Sequence, residues 1–247
     1  MIPINNAFQA GNQNNVAQDQ ELLKSFAKEI VIKASKDGKT KVVGKHTATI
    51  ELFPEYATTI DSIYNIMYIQ SGALGVNAEK YRFMSIDELE KLFTDDFYAT
   101  TKRLSSGINN QKEIFENIIK TLSYLSKQIN YKFINADYKD KENKVIEIKI
   151  NGENAFVLSL LASSLLFQMA LSSSKDENIK EDLSIIEAIK DDRNKAEGGA
   201  INFKSPVSAI AFSLLIIVQN FWADAEREGH IKEIDTSDIM SVIEQSK

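Results

Sequence analysis

SPVSAIAFSLLIIVQNFWA, residues 205–223, runs nineteen positions without a charge, between Lys204 and Asp224. At about 100° per residue, Ser205, Ser208, Ser213, Gln219 and Asn220 fall in one sector of about 140°. Val207, Ile210, Leu214, Leu215, Ile217, Val218, Phe221 and Trp222 fill the rest of the circle. Pro206 suits a first helical turn, where its missing N–H is not needed, and Ser205 is placed to cap it. The stretch predicts a helix with neighbours on most sides. Its length also meets the requirement for spanning a bilayer. Segregation of the polar residues to one face argues for a core helix, because a lipid-facing helix has no reason to segregate them.

A second uncharged run, Asn154 to Ser174, is slightly longer and is diluted by six serines and Gln168. Its small residues Ser159, Ala162, Ser163 and Ala170 share a sector, which allows close approach of another helix. The expected partner is 205–223. Membrane insertion of a hairpin made from these two segments is the alternative that their composition raises.

Working outward, hydrophobic periodicity predicts most of the remaining elements. Leu22, Leu23, Phe26, Ala27, Ile30, Val31 and Ala34 stripe a helix over 20–36, closed by Gly38. Ala48, Ile50 and Leu52 alternate as a short strand. Pro54 opens a helix with Ile60, Ile63, Tyr64 and Met67 on one face, ending near Gly72; residues 73–84 read as loop with a turn at 78–81. Ser85 and Glu88 form a capping box at the start of a helix to about Ser105. Ile114, Ile118, Leu122, Leu125 and Ile129 stripe the helix 111–130. Tyr131, Phe133 and Ala136, a charged turn, and Ile146, Ile148 and Ile150 alternating with Glu147 and Lys149 predict a β-hairpin. Asn151-Gly152 is read as the turn out of it. Ile179, Leu183, Ile186 and Ile189 mark an amphipathic helix that ends before Gly198-Gly199, and a last helix is expected over 235–246.

The fold class is therefore mainly α: seven or eight helices around 154–173 and 205–223, with a small β-hairpin near 131–150. A polar arm, 1–19, precedes a single helical domain, 20–247, with a sub-domain seam at 131–152. At 247 residues, 43% of them hydrophobic and 26% charged, the chain has the composition of a globular protein. The net charge of −6 gives no general reason to expect nucleic acid. With no cysteine there is no disulfide framework, thiolate metal site or cysteine nucleophile. The first twenty residues lack the basic-then-apolar order of a secretory signal, so synthesis in the cytoplasm is expected, with the virion as the place the finished protein could occupy.

No constellation in the sequence carries recognisable chemistry. Gly199 to Ser205 lacks the glycine before the lysine that a phosphate loop requires, and Pro206 removes an amide from the helix start. Asp224, Glu226, Glu228 and His230 could offer oxygen and imidazole ligands to a cation, but their spacing matches no calcium loop. His46 and His230, the only histidines, cannot make a three-histidine zinc site. No catalytic, cofactor or metal residue is assigned, and no small-molecule ligand is expected. The candidate partner-binding residues lie elsewhere. Asn5, Asn6, Phe8, Gln9 and Asn12 belong to an arm too polar to offset its ordering entropy alone. Lys36, Lys39 and Lys41 belong to a dense basic cluster, with Lys33, Lys45 and His46, that could meet an acidic surface or nucleic acid. The expected function is a non-enzymatic structural or assembly subunit, most readily of a bacteriophage virion, whose arm orders on a neighbouring subunit. Partners are other protein subunits, copies of the chain itself among them.

Overall fold

The computed structural model describes residues 46–93, 111–135, 145–191 and 201–229. The arm, the lysines at 36, 39 and 41, and the helices expected at 20–36 and 235–246 lie outside these residues. Among the described residues the fold is mainly α, with seven α-helices and one two-stranded antiparallel sheet. The order is β1 (Thr47–Leu52), α1 (Pro54–Ser71), a 3₁₀ turn (Gly72–Leu74), α2 (Glu79–Phe83), α3 (Ile86–Glu90), α4 (Gln111–Asn135), β2 (Ile146–Asn151), α5 (Gly152–Ser172), α6 (Glu177–Asp191) and α7 (Pro206–Arg227).

α7, the helix of the opening stretch, is the organising element: it packs against α5 most extensively, and also against α1 and β1. Phe212, Leu214, Ile217 and Phe221 are buried to 2% exposure or less. The polar sector divides. Asn220 is exposed and Gln219 half-buried, whereas Ser208 and Ser213 are fully buried. Ser213 tolerates burial because its hydroxyl donates to the Ala209 carbonyl one turn back (2.7 Å). Ser205 has the extended backbone of a cap residue, but its side chain makes no capping bond. Asp182 of α6 holds the approach to the helix instead, accepting the Lys204 and Ser205 amides just before its first turn at 3.0 and 2.8 Å.

α5 begins earlier than expected. Asn151 is not a turn residue but the cap, exchanging side-chain-to-backbone bonds with Asn154. Residues 152–159 are buried throughout; of the small residues of the shared sector Ser159 and Ala162 are buried, Ser163 is half-buried and Ala170 exposed. By length and composition both α5 and α7 could cross a membrane; 50% and 44% of their most apolar windows are buried within the protein.

The expected hairpin is corrected. Residues 131–135 continue α4, because Phe133 extends its stripe from Leu125 and Ile129 and packs on the core. β2 falls where expected, but it pairs with β1, almost a hundred positions earlier, with Thr49 opposite Lys149 and Ile50 opposite Ile148. One face of this sheet supplies Ala48, Ile50, Leu52, Ile146, Ile148 and Ile150 to the core.

α1 and α4 lie antiparallel, since Asp61 meets Ser126 and Asn130 while Tyr64, one turn on, meets Ser123. The Ser85–Glu88 capping box forms as expected. Its helix is shorter than read: after Glu90 the amides of Leu92 and Phe93 bond three residues back, which tightens and ends the turn. That turn seats Phe93 edge-on to the buried Tyr124, ring centroids 5.2 Å apart. Burial, with smaller contributions from Glu90 and Asp87, pushes the Tyr124 hydroxyl up to about 12. The neutral phenol is thus the folded form. Its stabilisation is fully present below the unfolded tyrosine value of about 10 and is lost as pH rises toward 12. In an alkaline titration of tyrosinate absorbance, Tyr124→Phe is expected to remove the last component to ionise. An unchanged curve above pH 10 would show that Tyr124 is not the buried phenol.

Candidate interaction site

The chain leaves α1 through the 3₁₀ turn and Gly75, whose φ of +66° is the left-handed conformation that glycine adopts at little cost. Tyr81 is buried and pins α2: its hydroxyl donates to Glu116 of α4 at 2.8 Å, and Ser123 donates to its carbonyl. Lys80 donates to the same Glu116 oxygen, which holds the ammonium above and the carboxyl below their ordinary values. With Tyr81 inward, Arg82 and Phe83 turn out. The Arg82 guanidinium lies over the Tyr68 ring, 5.3 Å from its centroid, and Tyr64 lies beside Tyr68 at 6.1 Å. Lys127 donates to the Arg82 carbonyl at 2.7 Å. Burial and the neighbouring guanidinium lower its affinity for its proton.

Next in sequence to the touching pair Tyr68 and Arg82 stand Ile69 and Phe83, 79% and 78% exposed. Side chains this apolar are costly to leave in water, and each follows in sequence a tyrosine or arginine that is held in place. That is the composition of residues that dominate protein interfaces. The sequence reading missed this corner. The available signal was Ile69 standing off the Ile60, Ile63, Met67 stripe, and Phe83 between a charged and a capping segment.

The remaining candidates have structural employment. His46, read as part of the basic cluster, is 9% exposed; its Nε2 lies 2.9 Å from Asp224 and its ring 5.4 Å from Phe221, tying the start of β1 to the end of α7. Asp224 also pairs with Arg227. Glu226 and Glu228 are exposed, and His230 lies outside the described residues. Among the described residues no group of His, Asp and Glu could hold a metal ion. The amides of Lys204 and Ser205, in the loop compared above with a phosphate site, already face the Asp182 carboxylate. The four buried ionisable side chains other than tyrosine among the described residues are all engaged within the fold: His46 with Asp224, Lys120 with Glu153, and Asp182 with two amides. Asn5, Asn6, Phe8, Gln9, Asn12, Lys36, Lys39 and Lys41 lie outside the described residues, so the site described here is not one that the sequence had nominated.

The chain matches no family model, no curated protein and no solved structure.

Proposed function

We propose that the protein is a non-enzymatic structural subunit of a larger assembly, such as a bacteriophage particle, in which copies of the chain contact one another. The observation that carries this is the outward exposure of Ile69 and Phe83, the sequence neighbours of the stacked Tyr68 and Arg82. Anchors of this kind lose about 1–4 kcal/mol of association energy on truncation. The engagement of the buried charges in structural bonds supports the same reading. The arm, residues 1–19, supplies a second contact by ordering on a neighbouring copy, giving up chain entropy for specificity.

Sedimentation velocity of the full chain tests the proposal. Self-association is expected for the native sequence, with Phe83→Ser and Ile69→Ser each weakening it about tenfold or more. Deletion of 1–19 is expected to weaken it as well. A monomeric native chain, or assembly indifferent to all three changes, would overturn the proposal. The length and apolarity of α5 and α7 favour a second reading, release of that helix pair into a bilayer. Co-flotation with liposomes across pH tests it, and absence of flotation removes it.

A further inference from the structure

The sheet has two outer edges, and among the described residues a hydrogen-bonding group closes only one. On the β2 side, the Gln128 carboxamide sits where another strand's backbone would. Its Nε2 donates to the Lys149 carbonyl at 2.9 Å, and its Oε1 accepts the Lys149 amide at 2.8 Å. In an antiparallel pair each residue points its N–H and C=O to the same side, and the side alternates along the strand. Lys149 gives both groups to Gln128 and therefore neither to β1. Thr49, directly opposite, must likewise point both of its groups away from β2. By the same alternation Thr47 and Glu51 face outward, while Ala48, Ile50 and Leu52 pair with Ile150, Ile148 and Ile146. The outward groups of Thr49 and Glu51 meet no hydrogen-bond partner among the described residues. An edge of this kind is a template for an added strand.

We propose that residues 2–10 of a second copy add to this edge as an antiparallel third strand. This rests on the assembly reading above and gives its arm an acceptor. Ile2, Ile4, Phe8 and Ala10 alternate with Pro3, Asn5, Ala7 and Gln9, the period of a strand with one apolar face. The segment carries no side-chain charge to oppose Glu51. Its apolar side chains belong on the core face, so Asn5, Ala7 and Gln9 must exchange hydrogen bonds with the outward groups of β1. Pro3 has no N–H and cannot oppose Glu51, which excludes the register that sets Asn5 against Thr49. The register that brings most of the apolar segment onto β1 sets Ala7 against Thr49, Asn5 against Glu51 and Gln9 against Thr47. Pro3 falls beyond the end of β1. Ile4 comes beside Leu52 and Phe8 beside the small Ala48, while Asn6 is the one polar side chain on that face.

Thr49→Pro tests this, because it deletes an outward N–H and none of those that bind β2. Self-association by sedimentation velocity is expected to weaken about tenfold or more, as on deletion of 1–19, with the far-ultraviolet circular dichroism unchanged. Thr49→Val, which keeps the N–H, is expected to assemble normally. If the proline variant folds and assembles while the 1–19 deletion does not, the arm has another acceptor: this proposal fails and the assembly reading stands. Should the proline variant not fold, disulfide trapping decides, in a chain with no cysteine of its own. Opposed Cα atoms here would lie about 5.5 Å apart, within disulfide range. Ala7→Cys with Thr49→Cys is expected to give a thiol-reversible link between chains, and Asn12→Cys with Thr49→Cys is not. A link within one chain, or none, overturns the proposal. A native chain that never self-associates overturns both readings.

Discussion

Glu153→Ala is expected to destabilise the fold by about 3–5 kcal/mol, the range for removing one partner of a buried ion pair. Glu153 is 1% exposed and opens α5, where a negative charge also meets the favourable end of the helix dipole. Its Oε1 accepts from the Lys120 ammonium of α4 at 2.7 Å, with that side chain 9% exposed. The other side of the ammonium lies 4.9 Å from the centre of the Phe93 ring. The pair thus joins α4, α5 and the turn after α3. Alanine would leave Lys120 charged, dehydrated and facing a ring whose attraction is worth about 1–2 kcal/mol. Replacing both partners, as Lys120→Met with Glu153→Leu, should recover part of the loss, because the Lys120 charge is removed together with its acceptor. Urea unfolding of the three variants measures this. A loss below about 1 kcal/mol for Glu153→Ala would show that water reaches the pair and that it behaves as a surface bridge.

That ion pair marks where the sequence stops being legible. Elements whose cause is local could be read directly. Pro54 and the Ile60, Ile63, Met67 stripe gave α1, Ser85 and Glu88 gave the capping box, and uncharged length gave α5 and α7 as partners. What could not be read depends on residues far apart in the chain. Lys120 meets Glu153 across 33 positions, Tyr56 accepts the Ile201 amide across 145, and His46 reaches Asp224 across 178. The hairpin error has the same origin. Alternation identified β1 and β2 as strands, but it carries no information about partners, and the nearest apolar alternation, at 131–136, was given to β2 in error. The Gln128 side chain that closes one sheet edge looks in the sequence like any polar residue on a helix. The corner at Ile69 and Phe83 was equally hidden, because an apolar residue off its stripe becomes informative only once its exposure is known. Two of its causes are nevertheless in the sequence, in Gly75 permitting the turn and Tyr81 needing burial.

Phe212→Ala is expected to cost about 3–5 kcal/mol, and the reason lies in how the opening stretch does its work. Phe212 is 2% exposed at the second turn of α7, and its ring meets two others edge-on or tilted: Tyr56 of α1 at 5.6 Å and Phe203 at 5.1 Å. Such pairs add about 0.5–1.5 kcal/mol each beyond buried area. Tyr56 in turn accepts the Ile201 amide at 3.0 Å, and Asp182 accepts those of Lys204 and Ser205. The ring therefore sits inside the clasp that brings the chain from α6 into α7 and fixes where the apolar helix begins. Alanine would leave a cavity between α1 and α7 and also free Tyr56 to shift off Ile201, so the loss should fall in the upper part of the range. Phe212→Leu, which refills most of the volume without the ring, separates the two contributions: it should restore more than half of the stability if packing dominates. The amide of Ile201 reports on the rest, since its hydrogen-exchange protection should drop in Phe212→Ala and persist in Phe212→Leu. Equal protection in both would mean that the clasp is held by Asp182 alone, and that α7 takes its position from its own apolar face and not from the loop that leads into it.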